Sequence, residues 1–351
     1  MARRGAASQC LNLDSISSEQ QLRNDAYRIT SAPGELREGL FGQIVLHTFE
    51  VLPYLKARGI FPTWRIASKL YGSSPDFTVI PGVFDLAYVP PTDHPKDLPL
   101  AALRATRTSI LGGDWNAMHD LWHAYFRIPT RITEAANRVE IGAHTLGLHY
   151  RGQDKNALSW DTNPVTVDEF LTLAKSFLAD RPDIDSMFIA TDEFGFVEAA
   201  RHALPQIRLI NLGPVDYHKA ERPAPGKADR ALLDCVLLSR CAHVIKCSSA
   251  LSGFAKVLRP DLPMCRVAAC KLFTDVPYFP DAYVPPMSGS DVASSELLRR
   301  LLKDDWLDDA DARARFARPF GSRPRFGLLR KTVRWLKYQR RRLRGESGNL
   351  D

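Results

Sequence analysis

The stretch that decides the fold runs from Gly147 to Lys155 and reads G-L-H-Y-R-G-Q-D-K. It completes an apolar run that begins at Ile141 and alternates like a buried strand. Three charged residues, Arg151, Asp154 and Lys155, follow where that strand is predicted to end. Ligands of open α/β sheets bind just beyond the carboxyl ends of the strands. The cluster therefore predicts a site for an anion, and phosphate fits it best.

Strands and helices alternate regularly after Val139. The predicted strands are Ile141 to Tyr150, Ser186 to Ala190, Gln206 to Ile210, His243 to Cys247 and Met264 to Ala268, and the predicted helices are Thr166 to Leu178, Phe196 to Ala203, Asp229 to Arg240 and Leu251 to Leu258. Short apolar strands that alternate with helices indicate an α/β fold with a parallel, doubly wound sheet.

The length of 351 residues exceeds one average domain and predicts two. We predict a flexible arm at 1–25, a first domain at 26–139, a second domain at 140–285, closing helices at 286–322 with one or two helices over Ser294 to Phe316, and a tail at 323–351. Within the first domain we predict strands at Ala26 to Thr30 and Phe61 to Ile66, an edge strand at Phe77 to Ile80, and helices at Ile44 to Arg58, Met118 to Tyr125 and Arg131 to Arg138.

The net charge of +7 is concentrated near the C-terminus. Ten Lys or Arg and no acid lie between Arg323 and Arg344, which leaves a net charge of −3 for the rest of the chain. Apolar residues line one side of this segment, so it predicts a basic amphipathic helix that either packs on the protein or lies on an anionic membrane surface.

The six cysteines form no C-x-x-C pair, and five of them lie in apolar runs. They are predicted to be reduced core thiols. No apolar stretch approaches the ~20 residues of a membrane span, and the first residues lack the apolar block of a secretory signal. The sequence therefore predicts a cytoplasmic protein, with peripheral contact at the inner membrane face as a hypothesis.

Polar residues also follow two further predicted strands. Asp192 and Glu193 follow the second strand, and Ser248 and Ser249 follow the fourth, at a helix start whose free N–H groups favour anions. All of them are expected to share one edge of the sheet with Arg151, whose planar guanidinium suits a pair of phosphate oxygens.

The remaining candidates have separate roles. Lys155 can neutralise charge on a leaving phosphate. Asp192 or Asp234 can accept hydrogen bonds from a base or a ribose, and Asp234 lies in so apolar a run that it needs a partner. Gly39 and Gly42, in the segment Gly39-Leu40-Phe41-Gly42-Gln43, let the backbone approach a ligand at a helix start.

His119 and His123 stand four residues apart on a predicted helix. That spacing can hold a metal, but neither a third ligand nor the glutamate of H-E-x-x-H accompanies it. We favour histidines of the helix surface or core, and predict no metal.

Four segments of the second half follow one another as motifs: His149-Tyr150-Arg151-Gly152-Gln153-Asp154-Lys155, Ala190-Thr191-Asp192-Glu193, Leu233-Asp234-Cys235-Val236-Leu237-Leu238-Ser239 and Cys247-Ser248-Ser249. They resemble, in order, the H-x-R-R-x-D-K, A-T-D-D, L-D-x-x-x-L-S and F-S-S motifs of the fucosyltransferases that use GDP-fucose. This superfamily holds nodulation-type and core α1,6-fucosyltransferases and, more remotely, protein O-fucosyltransferases. The segment from Gly39 to Gln43 is similar to the family's G-x-F-G-N-Q, one residue short.

The resemblance implies a GT-B architecture of two Rossmann-like domains facing a cleft. It implies an inverting glycosyltransferase that needs no metal or cofactor, with GDP-fucose as donor substrate and an oligosaccharide or polysaccharide as acceptor. His149, Arg151, Asp192, Glu193, Asp234, Ser248, Ser249, Gly39, Gly42 and Gln43 would then bind the donor nucleotide, and Arg151, Asp154, Lys155 and Asp161 would serve catalysis.

The chain departs from the family pattern at two important places. Gly152 stands where the motif has its second arginine, and Ser159 stands where a proton-accepting glutamate is expected. Asp161, Asp154 and His149 are the candidate replacements for that base, in this order.

Two alternatives remain at this stage. One is a non-catalytic relative that binds a GDP-sugar, favoured by Gly152 and Ser159. The other is a nucleic-acid-binding protein acting through the basic tail, for which few stacking residues are present.

Overall fold

A computed structural model describes residues 26–31, 39–68, 70–71, 78–90, 95–100, 102–103, 113–152, 161–213, 225–273, 276–277 and 280–317. The predicted arm at 1–25 and tail at 323–351 lie outside these residues and stay predictions. The described residues form two compact units, one within 26–110, 120–129 and 225–228, and the other within 113–119, 130–213 and 229–317. Both contain a parallel sheet, so the chain is a mixed α/β protein. Among the described helices, none combines the length and the hydropathy that spanning a bilayer would take.

The first unit is built on a small parallel sheet. Strand β1 (Tyr27–Ser31) lies between β2 (Thr63–Ile66) and β4 (Lys96–Pro99), while β3 (Asp85–Leu86) pairs antiparallel with β5 (Phe126–Arg127). A π-helical turn, Leu40–Val45, leads into helix α1 (Leu46–Ala57). The two main strands and the long helix predicted for this half are therefore confirmed, with ends shifted by a few residues.

The structure describes residues 78–80 of the edge strand predicted over Phe77 to Ile80, and there the prediction is wrong. Ile80 makes only an isolated antiparallel bridge with Ile66, and the Val79 N–H donates to the Ile66 carbonyl at 2.7 Å. Pro81 follows, and because proline has no N–H it does not extend a ladder. Residues 81–83 form a turn instead.

Aromatic side chains form the core of the first unit. The Trp122 ring stacks on Phe49 with ring centres 5.7 Å apart, and it also contacts Phe84 and Phe126 at 5.2 and 4.6 Å. All four side chains are fully buried. Each large ring removes a wide apolar area from water, so a few of them suffice for a small sheet.

The second unit contains a five-stranded parallel sheet. Its strands are β6 (Thr145–Tyr150), β7 (Ser186–Thr191), β8 (Arg208–Ile210), β9 (His243–Lys246) and β10 (Met264–Arg266), and its helices are α2 (Trp115–His123, in part), α3 (Thr130–Asn137), α4 (Val167–Ala179), α5 (Phe194–Ala203), α6 (Pro225–Arg240, in part), α7 (Ala250–Leu258), α8 (Val292–Leu301) and α9 (Ala310–Ala317). Across the sheet the order is β10-β9-β6-β7-β8, so the chain moves outward from β6 in both directions. This is the order of a doubly wound sheet, and it confirms the predicted alternation.

One prediction of this half needs a correction. The strand predicted from Ile141 starts only at Thr145, because residues before it form a turn. The Thr145 N–H donates to the Gly142 carbonyl at 3.0 Å, and the Gly142 N–H donates to the Thr145 hydroxyl at 3.2 Å. An apolar run alone did not reveal this local pairing.

The first face of the sheet packs against α4 and α5. Leu146, Leu148 and Tyr150 of β6 belong to this apolar core. The Tyr150 ring stacks on Phe196 of α5 at 4.5 Å and meets Phe170 of α4 edge-on at 5.5 Å. Helix α4 begins with a capping box in which the side chains of Thr166 and Glu169 exchange hydrogen bonds with each other's backbone N–H.

The opposite face packs against α6 and α7. A Cβ at Gly147 would lie 2.9 Å from Val244 and 3.1 Å from Leu238 of α6, so this helix lies directly against the strand. On the same face of β6, two residues further on, His149 is fully buried, and its Nδ1 is hydrogen-bonded to the Ser252 hydroxyl of α7. Helices on both faces confirm the parallel sheet as the buried centre of the unit.

The helices predicted over Ser294 to Phe316 are confirmed as α8 and α9. A buried ion pair joins Arg266, at the end of β10, to Asp305, which lies in the segment between α8 and α9. The pair thereby attaches this segment to the sheet. Five buried cysteines, Cys235, Cys241, Cys247, Cys265 and Cys270, are free thiols, as predicted.

Candidate functional site

The ends of β6, β7 and β9 bring three predicted polar segments to one edge of the sheet. We call this the carboxyl edge: residues 151–152 after β6, 192–193 after β7 and 247–249 after β9. Strand β6 lies between the other two, with neighbouring strands ~4.8 Å apart. The chain changes direction between β6 and β9, and such a switch point is where open α/β sheets bind ligands.

Arg151 and Asp192 form an ion pair across this edge. The Arg151 Nε lies 2.9 Å from Asp192 Oδ2, and the two residues are only 8% and 1% exposed. The Gly152 N–H donates to the other oxygen of Asp192 at 3.1 Å. Asp192 therefore holds the end of β6 in place. From the sequence its carboxylate was expected to accept hydrogen bonds from the base or the ribose of a nucleotide.

Glu193 folds back over Gly152. A Cβ placed on Gly152 would lie 1.6 Å from Glu193 Oε2, so the carboxyl group occupies the space of a side chain at position 152. Burial raises the pKa of the half-buried Glu193 carboxyl above its ordinary value, and the negative charge of Asp192 raises it further.

Ser248 is engaged within the protein. Its hydroxyl donates to Asp281 Oδ2 at 2.7 Å, while Asp281 Oδ1 pairs with the Lys246 ammonium, and all three groups are buried. Burial lowers the pKa of Lys246, an effect that the Asp281 carboxylate opposes. Sequence reasoning missed both Lys246 and Asp281, although a lysine ending the apolar strand H-V-I-K did call for a buried partner.

Ser249 precedes α7 and leaves the start of this helix open. Its backbone is extended, at φ −164° and ψ 129°, and its side chain makes no capping hydrogen bond. The first N–H groups of a helix have no partner inside the helix, and they favour a negative charge. Ser249 and the start of α7 therefore fit the predicted anion site better than Ser248 does.

His149 does not reach the ligand side of the edge. It is fully enclosed, and its Nδ1 lies 2.7 Å from the Ser252 hydroxyl. Burial lowers the pKa of His149 well below its ordinary value, and the positive charges of Arg151 and Lys246 lower it further. The side chain is neutral and supports the edge from behind, and its predicted roles in donor binding and as a base stay predictions.

Asp234 has the partner that the apolar run called for. Arg230 donates to its Oδ1 at 3.1 Å, one helical turn away. The same guanidinium donates to the carbonyls of Leu212 and Gly213 at 2.7 and 2.6 Å. The carboxylate thus orients an arginine that holds the segment after β8.

Four predicted site residues remain within the described part of the chain. Asp161 is buried, and its backbone carbonyl accepts a hydrogen bond from the Lys271 N–H at 2.9 Å. Asp154 and Lys155 lie outside the described residues. Gly39 precedes the π-helical turn of the first unit and Gly42 lies within it, and of Gln43 only the backbone is described.

Within the described residues, His119 and His123 belong to no group of three side chains that could hold a metal ion. His119 Nδ1 lies 2.9 Å from the Val257 carbonyl oxygen. Among the residues that the structure describes, no three His, Cys, Asp or Glu side chains are grouped to hold a metal ion.

The strand order defines a doubly wound α/β protein, and its polar carboxyl edge is the candidate ligand site. Solved structures that align with parts of this chain include three proteins crystallised with GDP. NodZ α-1,6-fucosyltransferase co-crystallised with GDP shares 13% identity over 69% of this chain and 94% of its own, with a TM-score of 0.44. POFUT1 in complex with GDP shares 13% over 69% and 98%, with a TM-score of 0.44. A mutant of Arabidopsis thaliana FUT1 in complex with GDP shares 12% over 43% and 35%, with a TM-score of 0.30.

No protein-family model and no curated protein sequence matches the chain.

Proposed function

We propose that this protein is an inverting glycosyltransferase that transfers fucose from GDP-fucose to a glycan acceptor. The proposed reaction needs no metal ion. One observation supports this most. The motif-bearing residues after β6, β7 and β9 meet at the switch point of a doubly wound sheet. Three separate ordinary turns have no reason to carry one family's motifs to one edge.

The chemistry asks for positive charge where the nucleotide leaves. An acceptor oxygen attacks the anomeric carbon, and the bond from that carbon to the diphosphate breaks with its electron pair going to GDP. The start of α7 and the Arg151 guanidinium are the groups of this edge that stabilise such charge. Lys155 is assigned the same role in the proposal.

The Arg151–Asp192 pair also favours a second function, that of a GDP-sugar-binding protein without transfer. Asp192 already neutralises part of the guanidinium charge, and Gly152 supplies no further cation. Such a protein would bind GDP and release none from GDP-fucose.

Thermal unfolding in the presence of GDP, GDP-fucose, UDP and UDP-glucose tests the proposal. Ligands that bind the folded state raise the unfolding temperature. We expect an increase with the two guanosine compounds and a smaller one in Arg151→Lys, which keeps the charge beside Asp192 but loses the planar donor pair. Arg201→Lys on the exposed side of α5 is the matched control. Stabilisation by the uridine compounds alone contradicts the proposal.

A peripheral membrane location belongs to the same proposal and depends on the tail at 323–351. Flotation with anionic liposomes compares the full chain with one that ends at Ser322. Equal binding by the two chains contradicts it.

A further inference from the structure

The carboxyl group of Glu193 lies against the backbone at the end of β6. Its Oε2 and Cδ come within 1.6 and 2.9 Å of the point where a Cβ of residue 152 would be. Only a residue without a side chain leaves this space open, so Gly152 and Glu193 fit together as a pair. Directly beside them, Asp192 binds both Arg151 and the Gly152 N–H.

Glu193 is the more exposed of the two acidic residues described at the carboxyl edge. It is half-buried, and within the described part of the chain no hydrogen bond or ion pair reaches its carboxylate. Asp192 and Asp161 are 1% and 4% exposed, and His149 is fully enclosed. Of the acids and bases described at this edge, Glu193 is the one that a bound hydroxyl can reach.

An aromatic ring follows the carboxylate. Phe194, the first residue of α5, is 70% exposed, although phenylalanine is usually buried. A carboxylate accepts hydrogen bonds from hydroxyl groups, and an adjacent ring offers an apolar surface. Together they suit the two kinds of surface that a sugar presents.

Proton transfer is a requirement of the proposed reaction. When an acceptor hydroxyl attacks the sugar, its proton has to leave, and a base is most effective when its pKa lies close to the working pH. Burial and the charge of Asp192 both raise the pKa of Glu193 in that direction.

We propose that Glu193 is the proton acceptor of the glycosyl transfer, and that Gly152 is the residue that makes room for its carboxylate. This rests on the proposed function. The acceptor oxygen forms a bond to the anomeric carbon while its proton passes to a Glu193 oxygen, and GDP leaves with the electrons of the broken carbon–oxygen bond.

Three variants test this role. Glu193→Gln keeps the shape of the side chain and removes its basicity. Gly152→Ala keeps the carboxylate but displaces it, and the double variant combines both changes. The matched control is Glu198→Gln on the same helix, whose carboxylate is 63% exposed and pairs with Arg201. GDP affinity is measured by calorimetry, and GDP release from GDP-fucose, with water as acceptor, is measured from pH 4.5 to 9.

We expect Glu193→Gln to bind GDP within about twofold of the unchanged protein and to release GDP about 100-fold more slowly, without the decline of rate in acid that protonation of a base causes. Gly152→Ala is expected to slow release similarly, and the double variant to add no further loss, since both act on one carboxylate. Glu198→Gln should leave rate and pH profile unchanged.

The outcomes separate the two proposals. If Glu193→Gln keeps its rate and its decline in acid, the role of Glu193 is wrong while the proposed function stands. A protein that binds GDP but releases none from GDP-fucose likewise contradicts the role, and it supports the binding protein without transfer. A protein that does not bind GDP overturns both.

Discussion

The guanidinium of Arg151 and the carboxylate of Asp192 pair at 2.9 Å and join the ends of β6 and β7. Both groups are almost fully removed from water, and their opposite charges compensate each other. The position of the Arg151 guanidinium is therefore set by the protein, and under the proposed function a ligand at this edge would meet it prearranged.

Asp192→Asn tests this dependence through stability. The substitution removes the negative charge that lies beside the buried Arg151 guanidinium, and we expect the free energy of unfolding in urea to fall by about 3 kcal/mol. The control is Glu140→Gln, which breaks the exposed pair with Arg208 and should cost less than about 1 kcal/mol. Equal effects of the two substitutions would mean that water screens the Arg151–Asp192 pair.

Packing of α6 against β6 gives a second prediction. Gly147→Ala places a methyl group 2.9 Å from Val244 and 3.1 Å from both Leu238 and Cys241, and overpacking of this kind costs about 1–3 kcal/mol. Gly142→Ala is the matched control, because no atom lies within 4 Å of its added Cβ. Urea unfolding of both variants should show a loss for the first only, and an unchanged Gly147→Ala protein would contradict the close packing.

Much of this architecture could be predicted because its determinants are local. The alternation of short apolar strands with helices after Val139 identified the sheet, and the predicted start of α4 at Thr166 is the N-cap residue of that helix. The ends of the strands then placed Arg151 and Ser249 at one edge.

The details of the site depend on contacts that no local pattern contains. Lys246 pairs with Asp281, 35 residues later, at the start of a short 3-10 helix, Asp281–Tyr283. Gly152 was interpreted as the loss of a cationic side chain, whereas the structure fills that space with the carboxyl group of Glu193, 41 residues away in the sequence. Both pairs arise from the meeting of distant chain segments.

The cysteines give a third prediction. Burial raises the pKa of Cys241, Cys247 and Cys265 to about 12, and Cys235 and Cys270 are also fully buried. Thiolate is the reactive form, so these five thiols should resist Ellman's reagent until the protein unfolds. In the native Cys10→Ser variant we expect no rapid labelling at neutral pH, and five equivalents in urea. Rapid native labelling of that variant would contradict the burial.

The enclosed His149 predicts how stability depends on pH. Its pKa is well below the ordinary value of about 6.5 in the folded protein and returns to that value on unfolding. Below pH 6.5 the unfolded chain binds a proton that the folded chain excludes, so the free energy of unfolding falls with decreasing pH, by about 1.4 kcal/mol per unit from this group.

Urea unfolding of the unchanged protein and of His149→Asn, between pH 7.5 and 5, measures that contribution. Asparagine offers an amide to the Ser252 hydroxyl and does not titrate, so the variant should lose less stability on acidification. His243, whose pKa burial lowers to about 4, titrates in both proteins and cancels from the difference. If the two proteins lose stability in parallel, His149 is not held neutral by burial, and the edge above it is more open to water than its enclosure implies.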